Sequence, residues 1–170
     1  RILKVADEIA DKMGAERIGQ CEKHDTGVSF YGVYYGQAAL PHAPESLFYL
    51  DNAVIRGLKV YNVETSSDIP VYDLSAAAGR DPYEMFLGGA RSIIRITNPN
   101  TAKKRRLIIF RDSFGSSIAP LLTAGYSEIT LVDIRYISPS ALSKLVDFSG
   151  VSDVLFLYSA SVINNSETIK

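Results

Sequence analysis

Residues 108–115 read Ile108-Ile109-Phe110-Arg111-Asp112-Ser113-Phe114-Gly115. With Leu107 before it, the first part is a short, continuous apolar run. An Asp-Ser pair and a helical period follow. The pattern predicts a buried strand turning into a helix, with Ser113 at the turn. The helix is expected from about Ser116 to Ala124, ended by Gly125.

The same alternation continues outward from this turn. Ile129-Thr130-Leu131-Val132 is a second apolar run, and Val154-Leu155-Phe156-Leu157-Tyr158 is a third. Between them Ser138-Pro139-Ser140 opens a helix expected over Ala141 to Phe148, closed by Gly150. Continuous apolar strands joined by helices predict an α/β fold with a parallel sheet covered on both faces.

Upstream, the texture differs. Ile2, Val5, Ala6, Ile9 and Met13 form a helical stripe, with Gly14 where a C-terminal cap belongs. Gly27 to Gly36 is rich in Tyr and Gly. Strand-like runs are expected at Ser46–Leu50, Leu58–Val63, Val71–Leu74 and Ser92–Thr97. Asp81-Pro82-Tyr83-Glu84-Met85-Phe86 suits a short helical turn. This half reads as strands and loops laid against a core, so residues 1–170 are expected to form a single domain. The chain opens inside a helical pattern and without Met, and sequence upstream of it is expected.

Composition narrows the partners. Eighteen basic and nineteen acidic residues give a net charge of −1. That balance argues against nucleic acid, because phosphate binding needs a concentrated positive field. The local run Lys103-Lys104-Arg105-Arg106 reads as a solvated turn before a buried strand, with a phosphate site as the lesser alternative. Cys21 is the only cysteine, so neither an internal disulfide nor a thiolate zinc cluster can form. No apolar run reaches the roughly 18 residues needed to span a bilayer. Gly27, Gly32 and Gly36 lack the strand-turn-helix context of a dinucleotide site. No metal or cofactor is expected.

In a parallel α/β sheet, ligands bind beyond the carboxyl ends of the strands. Three turns lie on that edge: Arg111-Asp112-Ser113, Asp133-Ile134-Arg135, and Ser159-Ala160-Ser161 with Asn164-Asn165. Their polar residues are expected to converge. A serine between strand end and helix start exposes its hydroxyl beside N–H groups that can stabilise an oxyanion. Asp and Ser before a helix are equally standard N-caps, so capping and catalysis both stand open for Ser113. Gly115 would let backbone or substrate approach. Arg135 could hold a tetrahedral oxygen or pair with Asp112 or Asp133. Tyr31, Tyr34 and Tyr35 could stack on sugar rings or pack in a core or interface. A serine nucleophile also needs a base. His24 and His42 are the only histidines, both expected in loops, and neither spacing aims at Ser113.

These residues resemble the DHHW-motif family, bacterial surface proteins related to the SGNH (GDSL-like) hydrolases and to alginate-type polysaccharide O-acetylation proteins. The resemblance rests on Ser29-Phe30-Tyr31-Gly32, Val71-Tyr72-Asp73-Leu74, Phe86-Leu87-Gly88-Gly89, Arg111-Asp112-Ser113-Phe114, Tyr126 through Tyr136, and Val154 to Tyr158, in that order. It implies a three-layer, flavodoxin- or Rossmann-like SGNH fold with a Tyr-rich strand-and-loop insertion. It also implies Ser113 as nucleophile and Arg135 at the oxyanion or substrate. Asp112, Tyr31, Tyr34 and Tyr35 would then contact a carbohydrate or acyl-ester substrate. The family's Asp and His partners lie in an Asp-His-His-Trp motif before the first helix, so the chain as given is expected to be catalytically crippled. The implied activity is a serine esterase or O-acetyltransferase acting on surface carbohydrate, outside the cell. Two other readings stay open: a non-catalytic protein of the same fold that binds glycan or a partner, and an unrelated Rossmann-like domain in which Asp112-Ser113 is only a cap.

Overall fold

The run through Ile108 is an interior strand of the sheet in a computed structural model that describes residues 1–32 and 43–165. This strand, β6 (Arg106–Arg111), belongs to a six-stranded sheet with β3 (Lys59–Asn62), β4 (Ser67–Ile69), β5 (Ile93–Thr97), β7 (Glu128–Val132) and β8 (Asp153–Leu157). The order is β4-β3-β5-β7-β6-β8. β1 (Glu22–Phe30) and β2 (Glu45–Asp51) form a separate antiparallel pair.

The expected parallel sheet is parallel only across β7, β6 and β8. β5 joins β7 antiparallel, and β3 and β4 continue antiparallel beyond it. The sheet is therefore mixed. The sequence hid this because β5 is buried on both faces. Such a strand shows the same continuous apolar run whichever way it points.

Both faces of the sheet carry apolar clusters. Leu107 and Ile109 of β6 point to one side, where Ala6 and Ala10 of α1 (Ile2–Lys12) pack with Ile118 and Leu121. Ile108 of β6 and Val132 of β7 point to the other, where Leu142 of α4 (Pro139–Leu145) covers them. The remaining α-helices of the described residues are α2 (Ala53–Arg56), α3 (Phe114–Ile118) and α5 (Ala160–Asn164).

α1 stops where its glycine predicts. Gly14 has φ +59°, its N–H donates to the Asp11 carbonyl, and the Ala15 N–H reaches back to the Ala10 carbonyl. That pair of bonds is a Schellman cap. The basic run before β6 is only partly a solvated turn. Arg105 donates to the Met13 and Gly14 carbonyls at 2.8 and 2.7 Å and pairs with Asp153 at 2.6 Å. It thus ties the end of α1 to the start of β8. Arg106 pairs with Glu128 and Asp147.

Other boundaries moved for local reasons. Residues 71–74 make a single bridge, Tyr72 to Phe86, rather than a strand. Asp73 bends the chain there by accepting the N–H groups of Ser75 and Ala76. The helix expected to run to Ala124 begins at Phe114, is α-helical only to Ile118, and tightens into a 3₁₀ turn over Ala119–Leu122. Pro120 has no N–H to continue the α pattern. α4 ends at Leu145 rather than Phe148. The turn at Pro82–Met85 is a 3₁₀ helix capped by Asp81. No helix of the described residues is long and apolar enough to cross a membrane.

Candidate active site

β6 ends in a turn built by Asp112, not by the serine after it. Asp112 is 3% exposed. Its Oδ1 accepts the Phe114 N–H at 3.0 Å and its Oδ2 accepts the Ser159 N–H at 2.6 Å. Ser113 occupies the N-cap position of α3, yet its side chain makes no capping hydrogen bond. Ser113 is exposed. The choice between cap and free hydroxyl thus falls out by position: the aspartate caps, and the serine hydroxyl has no hydrogen bond among the described residues.

Arg111 explains the glycine. Its side chain is wholly buried, with Nη1 donating to the Asp112 carbonyl at 3.3 Å and to Ser116 Oγ at 3.0 Å. Nη2 reaches the Arg91 carbonyl at 3.3 Å. The aliphatic stem runs across Gly115, where a Cβ would stand 2.5 Å from the Arg111 Cβ. Gly115 was expected to admit backbone or substrate; it admits Arg111. Burial pushes the guanidinium's pKa down, while Asp133 and Asp112 oppose that shift.

The three turns at the sheet edge do converge. Asp112, Ser113, Arg135, Ser159 and Ser161 line one cleft of about 440 Å³, closed by Phe30, Gly32, Asp81, Tyr83, Phe114 and Val162. Asn164 and Asn165 are not part of the lining. Arg135 makes the expected pair with Asp133 and still faces the cleft. Its Nε and Nη2 take the two oxygens of the fully buried Asp133 at 2.9 and 2.6 Å. Neither bond uses Nη1. The hydrogen bond to Asp133 holds the Arg135 pKa above its ordinary value. Tyr31 is exposed and does not line the cleft, although its neighbours Phe30 and Gly32 do. Tyr34, Tyr35 and His42 lie outside the described residues.

The helix start offers fewer N–H groups to an oxyanion than expected. The Phe114 N–H is held by Asp112 Oδ1, the Gly115 N–H by the Asp112 carbonyl, and the Ser116 N–H by the Ser113 carbonyl. Among the described residues the Ser113 N–H alone has no acceptor in this turn. No histidine lines the described part of the cleft. His24 was expected in a loop but lies in β1, paired with Tyr49 and stacked on its ring at 5.0 Å. Phe30, the end of β1 that reaches the cleft, is six residues further on, roughly 20 Å along an extended strand. No group of three His, Cys, Asp or Glu among the described residues could hold a metal ion.

A family profile described as DHHW protein matches residues 11–132. The chain belongs to the DHHW family. A crystal structure of a DHHW family protein from Eubacterium siraeum is similar over 98% of this chain and 58% of that one, at 20% identity and a TM-score of 0.70. Bacillus cereus PatB1 with a sulfonyl adduct is similar over 95% of this chain and 56% of its own, at 17% identity and a TM-score of 0.66. A second PatB1 structure gives 17% identity and a TM-score of 0.64. At these identities the likeness shows the fold. The chain therefore spans a little under three-fifths of the length of these solved structures. No curated protein matches it.

Sequence reasoning about this DHHW-family chain missed the far wall of the cleft. Asp81, Tyr83 and Phe30 come from segments remote in sequence from the sheet edge. One signal was available: the Asp-Pro-Tyr turn fixes Tyr83 by having Asp81 Oδ1 accept its N–H at 3.0 Å. Tyr83 then donates its hydroxyl to Ser117 Oγ at 2.7 Å and stacks on Phe30.

Proposed function

We propose that Ser113 is the nucleophile of an SGNH-like serine esterase or O-acyltransferase acting on O-acyl groups of a surface carbohydrate. The observation that carries this reading is the uncommitted Ser113 hydroxyl, exposed in a cleft that Arg135 and Ser159 also line, while Asp112 does the capping. The Ser113 oxygen attacks the acyl carbonyl, a new C–O bond forms, and the alcohol leaves with the proton. The donors assigned to the developing oxyanion are the serine's own N–H and Arg135 Nη1, which neither Asp133 bond uses. The base is taken from the Asp-His-His-Trp motif that the family resemblance places before the first helix. Apolar clusters on both faces of the mixed sheet agree with a three-layer SGNH arrangement. A carbohydrate acceptor and an extracellular setting rest on the same resemblance.

The test is Ser113→Ala in the longest natural polypeptide that contains residues 1–170. Loss of ester turnover by at least about 10³-fold is expected, with folding unaffected. Turnover equal to that of the parent sinks the assignment.

A second reading has one observation in its favour: no imidazole lines the described part of the cleft. On that reading the protein binds glycan without cleaving it. Glycan retention by Ser113→Ala, together with no labelling of the parent by a fluorophosphonate, would favour it.

A further inference from the structure

Beside the Ser113 cleft lies a second cavity of about 230 Å³ between the β1–β2 pair and α3. The two cavities share three side chains, Phe30, Tyr83 and Phe114. Phe114 is the residue directly after Ser113, and it is 41% exposed. The second cavity is apolar: Leu47, Phe48, Leu50, Phe86 and Leu121 form much of its wall.

Three polar side chains of that wall already have partners, and Glu45, Ser46 and Tyr49 complete its lining. Tyr83 donates to Ser117 Oγ at 2.7 Å, and Ser117 donates to the Phe114 carbonyl at 3.1 Å. Tyr72 donates to the Leu50 carbonyl at 2.8 Å. A ligand group placed there gains by being apolar and finds no open donor on these three side chains. At ~30 Å³ for each water-sized group, the volume suits an unbranched chain of roughly six to eight carbons.

We propose that this cavity takes the acyl chain of the ester that Ser113 attacks, and that the chain is of medium length rather than acetyl. The inference rests on Ser113 as nucleophile. It adds a division of labour. The alcohol half of the ester lies in the Ser113 cleft among Asp81, Ser159 and Ser161, and the acyl half passes by Phe30, Tyr83 and Phe114 into the apolar cavity. The step itself forms the Ser113 Oγ–acyl carbon bond and breaks the bond from that carbon to the alcohol oxygen. The hydroxyl proton goes to the leaving alcohol by way of the base.

The experiment compares ethyl and octyl fluorophosphonates on the longest natural polypeptide that contains residues 1–170. Each probe forms a phosphorus–oxygen bond at Ser113 and releases fluoride. Burial of the extra methylenes should make octyl labelling at least about tenfold faster. Ser46→Phe, at an exposed strand position on the cavity wall, should cut that preference several-fold, because an aromatic is tolerated in a strand but fills the space. Labelling by both probes at a ratio below ten overturns the acyl-chain assignment and leaves the nucleophile standing. An octyl preference that survives Ser46→Phe overturns it too.

If neither probe labels, the nucleophile reading has failed, and the cavity is tested alone. Octanoate and butanoate are then titrated into Ser113→Ala. Binding of octanoate at least tenfold tighter supports an apolar-chain site, and a smaller ratio overturns it.

Discussion

Asp112 Oδ2 accepts the Ser159 N–H at 2.6 Å, joining two turns that are 47 residues apart in the chain. These turns leave the neighbouring parallel strands β6 and β8. With Oδ1 on the Phe114 N–H, one buried carboxylate sets the backbone on both sides of Ser113. Asp112→Ala strands two N–H groups at once, so it should destabilise the fold by about 2–4 kcal/mol. Asp112→Asn keeps one acceptor oxygen and should cost roughly half as much. Urea unfolding of the two variants checks the order; equal losses would mean that Asp112 is not the bridge.

Gly115 is held to glycine by Arg111 rather than by its own backbone. Alanine favours a helix interior by about 1 kcal/mol over glycine. Here its Cβ would press on the buried Arg111 stem at 2.5 Å. Gly115→Ala is therefore expected to destabilise, by about 2–3 kcal/mol. Arg111→Ala removes the obstacle as well as the guanidinium's hydrogen bonds. In the double variant the two losses should fall short of their sum by more than about 1 kcal/mol. Simple additivity in urea midpoints would show that the crowding is not real.

This pair also shows what the sequence could reveal. The β6 turn was legible because a short apolar run, an Asp-Ser pair and a helical period each point to the same local structure. Which of Asp112 and Ser113 caps the helix was not legible, since both types cap well. Arg111 reads as a surface residue by type, and only Gly115, four residues on, hints that its stem needs room. The direction of β5 leaves no mark on a strand buried on both faces. The aromatic wall from Phe30 and Tyr83 depends on contacts between segments distant in sequence, for which periodicity carries no signal.

Arg105 fixes the opposite end of the sheet. It satisfies two carbonyls at the end of α1 and pairs with Asp153. Asp153 Oδ2 also accepts the Tyr126 hydroxyl at 3.0 Å. Arg105→Ala should cost about 1–3 kcal/mol and should raise amide exchange in the last turn of α1. Arg105→Lys keeps the charge but cannot reach all three partners, so it should rescue less than half of the loss. Full rescue by lysine would reduce the clamp to a simple charge effect.

Stability at high pH should follow buried tyrosines. The Tyr158 hydroxyl is buried without a hydrogen-bond partner among the described residues. Burial, reinforced by Asp133, pushes its pKa from 10.0 up to about 12. Burial raises the Tyr72 and Tyr126 hydroxyls as well. Below about pH 10 both folded and unfolded chains keep these protons, and stability does not change on their account. Between about pH 10 and pH 12 the unfolded chain releases a proton that the folded chain retains. The unfolded state then binds fewer protons, so stability falls as pH rises, by at most about 1.4 kcal/mol per pH unit for each tyrosine. Urea midpoints should be level near neutrality and drop steeply above about pH 10. Tyr158→Phe removes one titrating group and an unpaired buried hydroxyl together. It should be no less stable than the parent at neutral pH and should lose stability less steeply above about pH 10. A slope as steep as the parent's would place the Tyr158 hydroxyl in contact with water.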